Sequence, residues 1–143
     1  MESPQKFDRM FTIVVPKYSN AGERISTETL AEYAKVVSRE FGGATVHPSV
    51  LGCWVDERTD ELVCEENMLI ETAVDTDKVT EAELEEKREF VRRLARKIGE
   101  DLGQYAVMAY EDVIDRLSFV EGEYKERIPE HMKEEDFFKK LID

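Results

Sequence analysis

The chain has 143 residues, of which 41% are hydrophobic and 37% charged, and it contains only two cysteines. This length and composition indicate one folded domain and exclude collagen-like, disordered and disulfide-rich classes. The net charge of −13 opposes the phosphate backbone, so direct binding of nucleic acid is not expected. No apolar run approaches the about 20 residues of a membrane span, and the opening residues lack a signal-peptide layout. A soluble, cytoplasmic protein is therefore predicted, and its richness in Glu, Lys and Arg suggests a heat-adapted source.

The first predicted elements are a strand and a helix. Phe11–Val15 is a β-branched apolar run stopped by a proline, which predicts a buried strand preceded by a loose leader over residues 1–10. Ser26 or Thr27 can cap the helix that follows, and the glycines at 42 and 43 are expected to end it. The apolar stripe of this helix consists of Leu30, Tyr33, Ala34, Val37 and Phe41.

Two strands joined by a turn are predicted next. From Ala44 to Val74 the apolar residues recur with a period of two, which is typical of strands with one buried face. The polar segment Asp56–Glu61 predicts the turn of a β-hairpin whose arms are Leu51–Val55 and Leu62–Val74.

A longer helix and further extended segments are predicted in the second half. Thr80 followed by Glu83 forms a capping-box pattern, and the apolar stripe after it continues to Gly103. Tyr105–Tyr110 has the composition of a strand, and Val113–Val120 is expected to extend it or to form another extended piece.

Residues 121–143 are predicted to be a polar extension of a single domain whose core spans residues 11–120. Pro129 can begin a short amphipathic helix in this extension. Its apolar residues are Met132, Phe137, Phe138, Leu141 and Ile142.

The order strand, helix, strand, strand, helix, strand predicts an α+β fold of the ferredoxin-like type. In this fold two helices cover one face of an antiparallel sheet, and the first and third strands are central. Because Phe11–Val15 is apolar on both faces, the second face also needs cover. The C-terminal helix or a second copy of the chain is expected to supply it, so a homo-oligomer, most simply a dimer, is predicted.

A short motif supports this fold. Gly52–Trp54, followed by the turn and by Glu65–Glu71, resembles a group of small ferredoxin-like proteins with a G-x-W strand, a turn, an acidic strand and a helix. The resemblance spans residues 11–120 and leaves the extension outside it. The resemblance implies the fold and gives no indication of an activity.

Acidic residues are concentrated between Asp56 and Glu89, where fourteen acids stand against four bases. One interpretation is a solvated helix with ion pairs such as Glu89 with Arg93. The other is an acidic face that binds a basic protein, or that mimics nucleic acid.

The two cysteines are predicted to face each other. A hairpin symmetric about Arg58 and Thr59 pairs Cys53 with Cys64, and facing Cβ atoms lie about 4.5–5.5 Å apart, so a disulfide is sterically possible. Cytosolic thiols normally stay reduced, except in some heat-adapted organisms. Two reduced cysteines, a structural disulfide and a reactive redox pair all remain open, although no C-x-x-C motif supports the last.

One set of residue types suits a metal. The same register places His47 opposite Ile70, and His47, Cys53, Cys64 and Glu66 can then share a face with ligand types that suit zinc. These residues lack the close spacing of known zinc sites, and Pro48 interrupts the strand. Neither a metal nor another cofactor is therefore expected.

Glu66 interrupts an otherwise apolar face and is the candidate catalytic residue. A buried carboxylate needs a partner or a raised pKa, so Glu66 can be a general acid or base. The alternatives are that a bulge turns it outward, or that an Arg or a Tyr hydroxyl satisfies it. Tyr18, Trp54, Tyr105 and Tyr110 are candidates to line a ligand pocket on the open sheet face, although strand aromatics also serve as core or dimer contacts.

Three functional hypotheses follow. The nucleotide-binding, hydrolase, metalloprotease and EF-hand motifs are absent from the sequence. We therefore expect a non-catalytic, self-associating module that binds a partner or a small ligand. The alternatives are a small enzyme that uses Glu66, and an acidic mimic of nucleic acid that binds a basic protein.

Overall fold

The computed structural model describes residues 6–120, 122, 129–133 and 135–142. Four strands form one antiparallel sheet in the order β2-β3-β1-β4, and two long helices and a short C-terminal helix accompany it. The strands are β1 Lys6–Pro16, β2 Thr45–Asp56, β3 Glu61–Val74 and β4 Ala109–Ser118. The helices are α1 Thr27–Phe41, α2 Glu81–Leu102 and α3 Glu135–Ile142, with 3₁₀ turns at Thr76–Lys78 and Glu130–Met132. This confirms the ferredoxin-like α+β fold, with β1 and β3 in the centre of the sheet.

Local sequence signals set the ends of the two long helices. The Ser26 side chain accepts from the Thr29 amide, and Gly42 ends α1 at a φ of 88°. Thr80 and Glu83 form a reciprocal capping box at the start of α2. These caps satisfy backbone groups that have no partner within the helix, so the predicted helix ends are confirmed.

The core lies between one sheet face and the helices. Its sheet side consists of Phe11, Ile13, Val15, Met68, Ile70 and Val74, and its helix side of Leu30, Tyr33, Val37, Leu84, Val91, Leu94, Ile98 and Leu102. Ile142 joins the same core, and α3 contacts α1 and β2. The C-terminal helix therefore extends the helical layer, and in the described part of the chain no helix covers the other sheet face.

Two predicted strand boundaries were wrong. β1 begins at Lys6 rather than at Phe11, because Lys6 and Phe7 already pair with β4, and Arg9 lies between Val74 of β3 and Val113 of β4. The last strand is a single one, Ala109–Ser118, and Tyr105 is fully exposed in the loop before it.

The C-terminal extension also differs from its prediction. Pro129 precedes a 3₁₀ turn, and α3 begins only at Glu135. Ile142 and Phe138 pack on the core, whereas Met132 and Leu141 remain exposed. None of the helices in the described ranges is long and apolar enough to cross a membrane.

Ion pairs neutralise part of the acidic surface of α2. Arg88 donates to Glu85 and, at 2.7 Å, to Glu111 on β4, and Arg9 also pairs with Glu111. Arg88, more than Arg9, holds the pKa of the Glu111 carboxyl below its usual range. Arg92 pairs with Glu85, seven positions before it, and with Glu89, three positions before it, whereas the predicted pair of Glu89 with Arg93 does not form in the described structure. This pairing is what the solvated-helix interpretation predicts.

Candidate functional site

A buried lysine pairs with Glu66. Lys17 follows the end of β1 with only 1% of its side chain exposed, and its Nζ donates to Glu66 Oε1 at 2.7 Å. The backbone joins the same two residues, because the Lys17 amide donates to the Glu66 carbonyl. The partner of Glu66 is therefore a lysine, and not the arginine or tyrosine that the sequence suggested.

A bulge in β2 brings a third group to this carboxylate. The register shifts between His47 and Val50, so β2 has one residue more than β3 at this point. Ser49 lies within the bulge and its hydroxyl donates to Glu66 Oε1 at 3.1 Å.

The end of α3 closes the cluster. The carbonyl of Ile142 accepts from Lys17 Nζ at 3.2 Å and from Arg24 Nη2 at 3.3 Å. Cations stabilise the carbonyl end of a helix, so these two donors hold α3 in place. The Arg24 guanidinium also lies over the ring of Tyr18, 5.4 Å from its centroid. We call Lys17, Arg24, Ser49 and Glu66 the lysine cluster.

The charges of the lysine cluster keep Glu66 ionised. The hydrogen bonds from Lys17 and then from Ser49 lower the pKa of the Glu66 carboxyl below its ordinary value. An ionised carboxylate that already accepts two hydrogen bonds is a weak general base. With 37% of its side chain exposed, Glu66 can still accept a hydrogen bond from a ligand.

The candidate aromatic residues do not form one pocket. Leu51 pairs with Glu66 and Trp54 with Val63, so Trp54 and Glu66 lie on opposite faces of the sheet. Tyr110 is on β4, opposite Thr12 of β1. Tyr18 alone among them adjoins the lysine cluster, through Arg24. The expected pocket around Glu66 and Trp54 is therefore absent from the described structure.

The β2–β3 hairpin extends beyond the four-stranded sheet. β1 pairs with β3 only as far as Asn67, so residues 51–66 form a two-stranded ribbon, which we call the hairpin arm. Its exposed large apolar side chains are Leu51 (73% exposed), Trp54 (50%), Val55 (52%) and Leu62 (69%). Leu51, Val55 and Leu62 share the face of Glu66, and Trp54 lies on the other.

Cys53 and Cys64 pair across the hairpin arm. They are register partners, their Cα atoms are 4.1 Å apart, and their sulfurs are bonded. Both residues are exposed rather than in a core. The bond joins the two strands within the arm, where neither β1 nor β4 supports them.

The predicted four-residue metal set is not assembled. His47 pairs with Leu69 instead of Ile70, because the bulge shifts the register, and this places it on the face opposite Glu66. Its Nε2 lies 3.1 Å from Glu71 Oε2. Across the described residues no group of three or more His, Cys, Asp or Glu side chains could hold a metal ion.

The sequence held an unused signal for Lys17. The core residues Ile13 and Val15 alternate along β1, and the next position on the same face is Lys17. Because Lys17 also begins a segment with turn composition, the sequence favoured a turn at this position over a buried strand residue. Ser49 carried no comparable signal, because its position depends on the bulge.

Comparison with protein-family models and with curated proteins finds no match to this chain. Among solved structures, it is similar to a phage SAM lyase in complex with S-methyl-5'-thioadenosine, with 18% identity, a TM-score of 0.56, and coverage of 87% of this chain and 98% of that one. A phage SAM lyase in its apo state gives 17% identity and a TM-score of 0.55, again with coverage of 87% of this chain and 98% of that one. The divalent ion tolerance protein CutA1 from Ehrlichia chaffeensis gives 12% identity and a TM-score of 0.47, over 79% of this chain and 86% of that one. At these identities the likeness to the lyase structures shows a common fold.

Proposed function

We propose that this chain is a self-associating ferredoxin-like module whose hairpin arm packs against a second copy. The observation that carries the proposal is the exposure of four large apolar side chains on a two-stranded ribbon. A two-stranded hairpin is marginally stable in water. Burying an exposed Leu or Val side chain completely contributes about 1.5–3 kcal/mol, so a contact that covers these residues favours association.

The chemistry of the hairpin arm favours a copy of itself over a basic protein. Leu51, Val55 and Leu62 form an apolar face, and a two-fold contact can place such a face against its own copy. A basic partner would instead need unpaired acids. On α2 several acids already have a basic neighbour, including Glu85 and Glu89.

Mass measurements on a variant of the arm test self-association. Leu62→Glu places a charge in the apolar face and is expected to convert the oligomer to monomer in light scattering and native mass spectrometry. Arg58→Glu is the matched control, because it adds a carboxylate at the exposed turn of the same arm and should leave the oligomer intact. A monomeric wild-type chain, or an oligomer that survives Leu62→Glu, contradicts the proposal.

The lysine cluster supports a second candidate function, the binding of a small ligand at Glu66. Glu66 is ionised, partly exposed and held by Lys17 and Ser49, which suits recognition of a hydrogen-bond donor or a cation. The lyase structure with S-methyl-5'-thioadenosine makes that compound and SAM the first ligands to assay.

Ligand-dependent thermal stabilisation tests this second function. Wild type is expected to gain melting temperature with SAM or S-methyl-5'-thioadenosine, and Glu66→Gln to lose that gain. Glu65→Gln is the control, because Glu65 is adjacent but points to the opposite face. If neither compound stabilises the wild type, or if both variants respond alike, the second function is excluded for these ligands. Under either function we propose a cytoplasmic location and no resident cofactor.

A further inference from the structure

A cavity of about 580 Å³ lies at the end of the sheet farthest from the hairpin arm. At this end β1 and β2 begin and β3 and β4 finish, and the loop after α1 closes one side. We call it the end cavity. Its volume is within the range of about 300–1,000 Å³ that is usual for small-molecule sites. Neither the hairpin arm nor the lysine cluster contributes to it.

Three phenylalanines line the end cavity. Phe41 is fixed by the core, because its ring packs against Phe11 at 5.6 Å and against Phe90 at 5.9 Å between centroids. Phe7 and Phe119 meet edge to face at 5.2 Å. The cavity thus combines one ring anchored in the core with an aromatic pair formed by Phe7, at the start of β1, and Phe119, just after the end of β4.

A single charged side chain lines the end cavity, and it is an acid. Glu71 on β3 contributes to the lining together with Thr45 and Thr72, and no basic residue does so among the described residues. The Thr72 hydroxyl is already used, because it donates to the carbonyl of Gly43 at 2.7 Å. The Glu71 carboxylate is therefore the one formal charge in this lining that can orient a ligand, and His47 Nε2 lies 3.1 Å from its Oε2.

We propose that the end cavity binds a planar aromatic cation. Its ring lies against the phenylalanines, and its positive charge lies at Glu71. Aromatic faces attract cations through their quadrupole, and a carboxylate beside them adds a direct charge interaction. The proposal is independent of self-association, because the two sites use different residues at opposite ends of the sheet.

Two probes that differ in charge test this site. Full-length protein is titrated near neutral pH with 1-methylquinolinium, a planar cation, and with quinoline, a neutral ring of similar shape. Calorimetry gives the affinities, and amide NMR shifts locate the site. The cation is expected to bind about tenfold more tightly than quinoline, with the largest shifts at Gly42, Gly43 and Ala44.

Glu71→Gln isolates the charge contribution. It should remove the preference for the cation while leaving quinoline binding nearly unchanged. Glu65→Gln is the matched control, because Glu65 lies on the same face of β3, outside the end cavity. It should retain the preference.

Gly43→Leu tests the cavity without touching Glu71. A Cβ at Gly43 meets no atom within 4 Å, and its φ is not in the left-handed region, so the backbone accepts a side chain here without strain. It is expected to weaken both probes. Equal affinity for the two probes, an unaltered preference in Glu71→Gln, or shifts that map elsewhere would each overturn the proposal.

Discussion

The two halves of the β2–β3 hairpin carry the same apolar alternation but have different surroundings. In the half next to β1, Met68 and Ile70 are fully buried under the helices. In the hairpin arm, Leu62 continues the same face of β3 and is 69% exposed. Period-two alternation thus predicts that one face will be covered, but it does not identify what covers it. The chain itself covers the first half, and by our proposal a second copy covers the second.

The largest difference expected between the halves is in the stability of the monomer. Ile70→Ala removes buried side-chain volume and should cost about 2–5 kcal/mol of unfolding free energy. Leu62→Ala, on the same face of β3, should cost less than about 0.5 kcal/mol when measured under dilute, monomeric conditions. Urea titration of both variants measures this. Similar costs would mean that the arm is packed within the single chain.

The boundary between the halves is the Lys17–Glu66 pair, and its two partners should respond unequally. Glu66→Gln leaves a buried ammonium without a counter-charge and should cost about 2 kcal/mol, whereas Lys17→Met leaves a partly exposed carboxylate and should cost less than about 1 kcal/mol. Chemical denaturation at neutral pH gives both values. A larger cost for Lys17→Met would contradict the burial assigned to Lys17.

The same pair has a defined pH dependence. Its folded-state carboxyl pKa is lowered, so the pair stabilises the fold above the unfolded pKa and this stabilisation is lost as pH falls through the folded value. The difference in unfolding free energy between wild type and Glu66→Gln should be complete at neutral pH and shrink progressively below the ordinary value of 4.5. A difference that does not change with pH would exclude the ionised pair as its source.

Within the hairpin arm, the disulfide should stabilise only the arm. The unreduced denatured chain is expected to be two hydrogens lighter than the reduced chain. Closing a loop of this size contributes at most about 2–3 kcal/mol, and we expect reduction to speed amide exchange in the arm without changing the core. Cys64→Ser supplies the same comparison without a reductant. An unreduced chain with two free thiols would show that the cysteines remain unpaired.

The smallest effect concerns salt. Two copies that each carry a charge of −13 repel one another, so moderate salt should strengthen self-association by a few-fold. Binding to a basic protein would instead weaken as salt increases. Sedimentation at two ionic strengths distinguishes these outcomes.

Short sequence patterns predicted those elements that depend only on neighbouring residues. The helix caps at Ser26 and Thr80 depend on neighbouring residues, and the Cys53–Cys64 register follows from a symmetric turn. The register of His47 was wrong because the bulge at Ser49 depends on contacts made across the sheet.

The start of β1 was not predicted because its charged residues are atypical of a buried strand. Asp8 accepts from the Thr76 amide and hydroxyl, and Arg9 pairs with Glu111, so these charges belong to a central strand. Their partners are 68 and 102 positions away, beyond the reach of any local pattern. The sequence did not predict the end cavity for the same reason, because four separate stretches of the chain assemble it.

Amide hydrogen exchange at low and high protein concentration tests the central claim most directly. We predict that residues 51–66 gain protection as concentration rises and an oligomer forms, while the exposed face of α2 does not change. An oligomer that forms without protection of the arm would place the interface elsewhere, and a chain that stays monomeric throughout would contradict self-association altogether.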